Sequence, residues 1–390
     1  MVDPHDLLDR FGSPLYVYDL EQVERRYLAF RQVFPYRPLD CHYAVVCNKN
    51  PLLVRRLHEL GAGIHANTPG DAYAALTAGV APERIVYSGT NLTRDDLDFL
   101  VALGIPLNLD SLDQLRDVIR DGRTENVGLR YLIDDPAKRN RIGVSPSELR
   151  FALRLAASGG VRITGLHMYA GTNNRRASRF LDCVDRLLAG AARLPDLEHV
   201  NLGGGYGIGY REGENDLDVG SIGVEVTRRV RALSSAVGRE VRLVVEPGRV
   251  LVGPAGSLLM QVVSVKSRGR RRYVGVDTTV GNIVVPSVYH AGHRIEAVTA
   301  RGPALLRPTD VCGNTTHSAD FIARDVRLPR VEPGDVLRLR DVGAYAYAMS
   351  SHFLNRPRPA EVVLVEGEPI LTTRRETFDD LVALYASRVG

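Results

Sequence analysis

Lysine is nearly missing from this chain of 390 residues: of 50 basic residues only Lys49, Lys138 and Lys266 are lysines. Chemistry that needs a side-chain amine therefore has three candidates. The four cysteines, Cys41, Cys47, Cys183 and Cys312, show no Cys-x-x-Cys spacing, which excludes a dense disulfide framework and points to free thiols in a reducing compartment. No apolar run reaches membrane-spanning length, and the stretch MVDPHDLLDRFG is charged and lacks the apolar core of a targeting signal. A cytoplasmic location without a membrane partner is the expectation. The net charge of +4 is mild, and the basic run RGRRRY, Arg268 to Tyr273, has no aromatic or RNA-binding signature beside it. It reads as a solvated face, and no nucleic-acid partner is expected.

What is present is the composition of an ordinary globular protein, 44% hydrophobic and 25% charged, at a length that suits two domains. Strand-like runs such as DCHYAVV, AGIHAN, RIVYSG, IPLNLD, VGLRYLI, ITGLHMYAG, HVNLGGGYG and VRLVVEPG alternate with amphipathic helical segments. In DSLDQLRDVIR, Asp110 or Ser111 suits an N-cap and Leu112, Leu115 and Val118 make an apolar stripe. Eight such runs predict a parallel α/β barrel over residues 26–265, whose sites gather at the C-terminal ends of its strands. From residue 266 to 390 the strands follow one another without long helices, which predicts a mostly antiparallel β domain. Residues 1–25, with PLYVYDLEQV, are expected to join it, and ETFDDLVALYASRVG reads as a closing amphipathic helix.

Three stretches carry chemistry. NLGGGYGIGY, Asn201 to Tyr210, is a glycine-rich turn after a strand, where backbone amides can approach a phosphate; a plain tight turn is the alternative. VVEPGRV places Glu246 and Arg249 at a strand end. They could bond a protonated ring nitrogen and clamp a phosphate, or simply pair with each other. Tyr345, among small residues, suits a phenolic donor or a half-buried strand tyrosine. CHYAVVCNKNP, Cys41 to Pro51, ends a strand-like run in a polar cluster that contains Lys49.

Taken in order, YAVVCNKNP, NLGGGYGIGY, EPGRVLV, HSADFIARDVRLPRVEPGD and DVGAYAYAMSSHFLNRPRP resemble the fold-type III decarboxylases that depend on pyridoxal phosphate (PLP), the group of the diaminopimelate, ornithine and arginine decarboxylases. The resemblance covers nearly the whole chain. It implies an alanine-racemase-like (β/α)8 barrel with a C-terminal β domain, PLP as cofactor, an amino-acid-like substrate, and a homodimer with shared active sites. It further implies that Gly203, Gly204, Gly205, Arg249, Tyr345 and Thr172 hold the cofactor phosphate and that Glu246 meets the pyridine nitrogen.

The reactive side departs from the family pattern. The family's Schiff-base lysine is the fourth residue of YAVKAN, and here that residue is Val46. The acid that accompanies it aligns with His65, and the histidine that stacks on the ring aligns with Tyr169. The CESGD-type loop reads Thr316-His317-Ser318-Ala319-Asp320, without its cysteine and selecting acid. The arginine that holds a substrate carboxylate in diaminopimelate decarboxylases aligns with Val285. Strand alternation turns Val46 and Asn48 inward and Lys49 outward, unless a bulge or an early strand end redirects it.

His65, Tyr169, His317 and Lys49 are the catalytic candidates, with His167 and Asp320 as further polar groups. The spacing of His65, His167 and His317 supports no metal site. The expected function is a divergent family enzyme acting on an amino acid or a derived intermediate, with PLP bound non-covalently or replaced by His and Tyr acid–base chemistry. The alternatives are a non-catalytic partner-binding homologue and an ordinary decarboxylase served by Lys49.

Overall fold

The computed structural model describes residues 2–133, 140–288, 292–299, 302–303 and 305–385. The chain divides into two compact units, one formed by residues 24–208 and 215–250, the other by residues 1–23, 209–214 and 251–390.

The first unit is a parallel barrel. Its strands are β1 (Leu39–Ala44), β2 (Gly63–Ala66), β3 (Ile85–Tyr87), β4 (Asn108–Leu109), β5 (Asn126–Arg130), β6 (Arg162–His167), β7 (His199–Asn201) and β8 (Arg242–Val245). They run in the order β3-β2-β1-β8-β7-β6-β5-β4. A parallel bridge from Tyr87 to Leu107 brings the two ends of this order together, so the eight-stranded ring is nearly closed. Helices follow the strands, several of them started by a side-chain N-cap. Ser111 accepts from the Gln114 amide as N-cap of the helix Leu112–Asp121, which buries Leu115 and Val118 and ends at left-handed Gly122.

Most barrel interiors are filled by branched apolar side chains; this one is filled by imidazoles and their complements. His65 at the end of β2 and His167 at the end of β6 face each other, their rings 5.9 Å apart. Their strands are separated by three others in the ring, so both side chains point inward. Alternation then turns His42 and His199, two residues before Ala44 and Asn201, to the same interior one layer lower. Glycines on the neighbouring strands make the room. A Cβ on Gly63 would lie 2.3 Å from the His42 ring, and one on Gly165 would lie 2.2 Å from His199 Nε2.

The second unit is a nine-stranded, mostly antiparallel sheet. Its spine is the long strand Gly256–Arg268, paired antiparallel with Leu15–Asp19, Val336–Arg340 and Arg271–Val276. The strand Leu15–Asp19, drawn from PLYVYDLEQV, also runs parallel to Ala360–Val365. One side is sealed by Leu7, Leu8, Leu15, Val17, Leu259, Val336 and Val362. The closing amphipathic stretch forms a short helix, Phe378–Val382, capped by Thr377; its last five residues lie outside the described ones.

The tight glycine–imidazole contacts make a testable cost. Gly165→Ala is expected to lower the stability of the protein by about 1–3 kcal/mol, because the added methyl group overpacks the interior. Gly70→Ala, whose Cβ would meet only Thr68 Oγ1 at 3.7 Å on a helical backbone, is expected to be neutral or mildly stabilising. Urea unfolding midpoints for the two variants check this.

Candidate active site at the barrel mouth

Glu246 follows β8 directly and is 1% exposed. A carboxylate so buried must be met by donors; two groups hydrogen-bond it and a third imidazole lies close by. Asn201, the last residue of β7, donates from Nδ2 to Oε1 at 2.7 Å. His167 Nε2 lies 3.0 Å from Oε2, and His65 Nε2 lies 3.4 Å from the same oxygen. Burial alone would raise the Glu246 pKa. The facing imidazoles of His65 and His167 and the hydrogen bonds from His167 and Asn201 outweigh it and hold the carboxyl well below its ordinary range. His65 goes the other way: burial lowers it to about 4, against the pull of Glu246. The centre of the mouth is therefore an anion flanked by an imidazole that is neutral at pH 7.

The ligating atoms of His65, His167 and Glu246 lie within 4.8 Å of one another, a spacing one metal ion could bridge. Metal-bound imidazoles nearly always donate their other N–H to an acceptor. Here Nδ1 of both histidines is buried without one. The triad as it stands is a buried acid–base cluster in which His167 hydrogen-bonds Glu246.

Beside it lies the glycine turn. Gly203 and Gly205 have φ of 62° and 98°, and a Cβ would lie 2.0 Å from Met168 O at the first and 2.5 Å from Gly171 O at the second. Only glycine fits there. The N–H groups of Gly204 and Gly205 meet no acceptor among the described residues, and a left-handed residue followed by successive free amides is an anion-binding concavity. Thr172 sits across this turn on the loop after β6, its Oγ1 2.9 Å from Tyr169 Oη. Arg249 opens the short helix Arg249–Val252 in the same unit. These residues fit the phosphate end of pyridoxal phosphate, and Glu246 is an ionised acceptor of the kind its ring nitrogen needs.

Among the described residues the lysines are Lys49 and Lys266, and Lys49 lies close to the end of β1. Strand β1 stops at Ala44, and Val45–Cys47 form a 3-10 turn. Strand alternation therefore does not extend to residues 46–49. The turn is pinned to the Glu-Pro-Gly-Arg turn: the Ala44 amide donates to Pro247 O at 3.1 Å, and Gly248 leaves room for Cys47 Sγ. Asn48 is buried and Val46 half-buried. Lys49 turns outward, 44% exposed, and its Nζ lies 3.0 Å from Oδ1 of buried Asp71. Asp71 also accepts from the Asn67 amide at 3.1 Å. Lys266 is exposed in the other unit, on the strand Gly256–Arg268, and Lys138 lies outside the described residues. Burial pushes the Cys47 thiol up to about 12, so that sulfur is a packing atom and no thiolate nucleophile.

The remaining candidates lie in the β unit. His317 is exposed, its ring 5.4 Å from that of Phe353. Asp320 is buried and saturated, accepting from the Val280 amide at 2.7 Å, the Thr315 amide at 3.1 Å and Thr279 Oγ1 at 3.1 Å. It shapes its loop and has no free lone pair aimed at a reactant. Tyr345 is held at φ 57°, a conformation uncommon outside glycine. Val285 is buried. Sequence reading passed over Asn201 as a side-chain donor and Arg130, the final residue of β5. A polar residue closing an apolar run, as in VNL and VGLR, was the available signal.

The class of protein follows from the barrel, the phosphate turn and the acid at the end of β8. A model of the pyridoxal-dependent decarboxylase pyridoxal-binding domain matches residues 20–253, and the chain belongs to that family of carboxy-lyases. It is 32% identical over 97% of its length to the diaminopimelate decarboxylase of Methanothermobacter thermautotrophicus, covering 93% of that protein. It is 31% identical over 97% of its length to the diaminopimelate decarboxylase of Aquifex aeolicus, covering 92%. The crystal structure of diaminopimelate decarboxylase from M. jannaschii in complex with L-lysine superposes with a TM-score of 0.92 at 27% identity, over 98% of this chain and 94% of that one. The Helicobacter pylori enzyme complexed with L-lysine gives 0.89 at 26% identity, over 97% and 98% of the two chains. Among the described residues no helix is long and apolar enough to cross a membrane.

Two outcomes follow from the site. Lys49→Met strands the buried Asp71 carboxylate without its cation and is expected to cost about 1–3 kcal/mol of stability, read by thermal unfolding. For His65 the folded pKa, about 4, lies below the unfolded value of about 6.5. Its contribution is whole above pH 6.5 and is lost as pH falls toward 4, with a slope of up to about 1.4 kcal/mol per pH unit. Denaturation midpoints of the wild type should therefore drop on acidification across this window, and His65→Asn should flatten the drop.

Proposed function

We propose that this chain is a divergent member of the family that acts on an amino acid or an amino-acid-derived intermediate, with pyridoxal phosphate held non-covalently. The observation that carries the reading is the pairing of an intact phosphate cradle with a missing amine: Val46 stands at the lysine position, and Lys49 is committed to Asp71. Gly203, Gly204, Gly205, Arg249 and Thr172 hold the phosphate in this reading, and Glu246 faces the ring nitrogen. Tyr345 is carried over by resemblance. When bound, the cofactor supplies an electron sink for charge developing at a substrate carbon.

The chain's own groups supply the rest. Glu246 stays ionised against the ring, held in place by Asn201 and His167. His65, neutral at pH 7, is a base poised beside it. Tyr169, 41% exposed at the mouth with its hydroxyl on Thr172, is placed to move a proton at Oη. His317, on its exposed loop, completes the catalytic candidates, and a homodimer with shared sites belongs to the same reading. Relatives named diaminopimelate decarboxylase, two of them crystallised with L-lysine, support a dibasic amino acid as the substrate class.

Incubation with pyridoxal phosphate, gel filtration and borohydride reduction tests this. The expected result is cofactor retained by the native protein, released on denaturation, and no pyridoxyl-lysine peptide after digestion. A reduced adduct on Lys49 would instead establish an ordinary lysine-dependent enzyme. Failure to retain the cofactor at all would leave the acid–base cluster or a non-catalytic role in its place.

A further inference from the structure

Arg130 is the terminal residue of β5, in register with His167 on β6, so its side chain enters the same inner ring as His167, Asn201 and Glu246. It is only partly exposed, and burial lowers its pKa against the pull of Glu246, Asp110 and Tyr169. A guanidinium has five N–H donors and no acceptor of its own. Other sheltered arginines of this protein spend theirs on the chain. Arg272 donates to Thr309 Oγ1 at 3.1 Å and to Leu328 O and Pro329 O at 3.1 and 2.9 Å. Arg358 forks onto Glu376, and Arg375 donates to Pro14 O at 2.6 Å. Arg130 makes no hydrogen bond or ion pair through its side chain among the described residues. Its one contact is with the face of Tyr169, 5.7 Å from guanidinium carbon to ring centroid, which fixes the plane and leaves the fork edge free.

We infer that Arg130, stacked on Tyr169, is a carboxylate-binding subsite that receives the acid group of the substrate. This rests on the pyridoxal reading and deepens it. The position where the family's carboxylate-holding arginine aligns is Val285, which is buried, so that function is vacant. A planar fork with two parallel donors suits a carboxylate bidentately. Glu246 and Asp110 neutralise part of the Arg130 charge at a distance but do not occupy its donors. The β5 end lies two strand spacings, about 10 Å, from the β7 end that carries the glycine turn. That separation suits a ligand with a phosphate at one end and an amino-acid carboxylate at the other.

Two stable conjugates differ only in that carboxylate: N-(5′-phosphopyridoxyl)-L-lysine and N-(5′-phosphopyridoxyl)cadaverine. The intact protein is expected to bind the lysine conjugate at least tenfold more tightly by calorimetry. Arg130→Met should erase the preference while leaving the affinity for the cadaverine conjugate within about twofold, and Arg130→Lys should restore part of it. Equal binding of both conjugates by the wild type, or a preference that survives Arg130→Met, overturns the inference and leaves Arg130 as charge balance for Glu246 and Asp110. If neither conjugate binds, the pyridoxal reading fails, and the subsite is read separately from phenylglyoxal modification of Arg130. Protection by glutarate then upholds a carboxylate site, and absence of protection overturns it.

Discussion

Glu246 is a charge taken almost wholly out of water, and the barrel mouth is organised around keeping it ionised. A lone buried carboxylate would protonate or pull water in after it. Here Asn201 takes one oxygen and His167 the other, with the His65 ring close beside it. The two donors close neighbouring strands, β6 and β7, so both strand ends must hold their register for the carboxylate to survive. The same requirement explains the layer beneath. Imidazoles that reach the axis from several strands need small neighbours, and Gly63 and Gly165 supply the space against His42 and His199.

The site sets a glycine turn beside a cluster of imidazoles around Glu246. The glycine turn retains φ values and Cβ clashes that only glycine tolerates, so drift there would cost the local backbone at once. Lys49 is close in sequence to the position where the family carries its amine, yet its charge is spent on Asp71, at the first turn of the helix Pro69–Thr77. A cation committed to a buried acid is a structural element with a stability role, and its side chain leaves the mouth. The polar groups gathered at the strand ends include His65, His167, Tyr169 and Arg130, whose guanidinium makes no hydrogen bond or ion pair among the described residues.

Local patterns were legible because their causes are local. Alternation of apolar runs with amphipathic helices marks a parallel barrel, since each strand must be covered on both faces. Glycines at a strand end mark a turn that lets backbone amides face an anion. The N-cap Ser111 and the buried Leu115 and Val118 lie where the helical period puts them. Residue 49 was harder, because alternation holds only while the strand lasts. The chain leaves β1 at Ala44 for a 3-10 turn anchored on Pro247, a partner some two hundred residues away in sequence.

By itself, then, the sequence determined the family fold and the glycine turn after β7, each written in contiguous residues. Tertiary structure alone decided which groups meet. Glu246 joins His65, His167 and Asn201 because β8, β2, β6 and β7 end at one level of a closed ring. Asp320 proved to be a saturated loop anchor, and Arg130 proved to be a partly buried cation whose donors meet no acceptor among the described residues. Hydrogen-bond saturation is a property of three-dimensional neighbours, and no spacing along the chain encodes it.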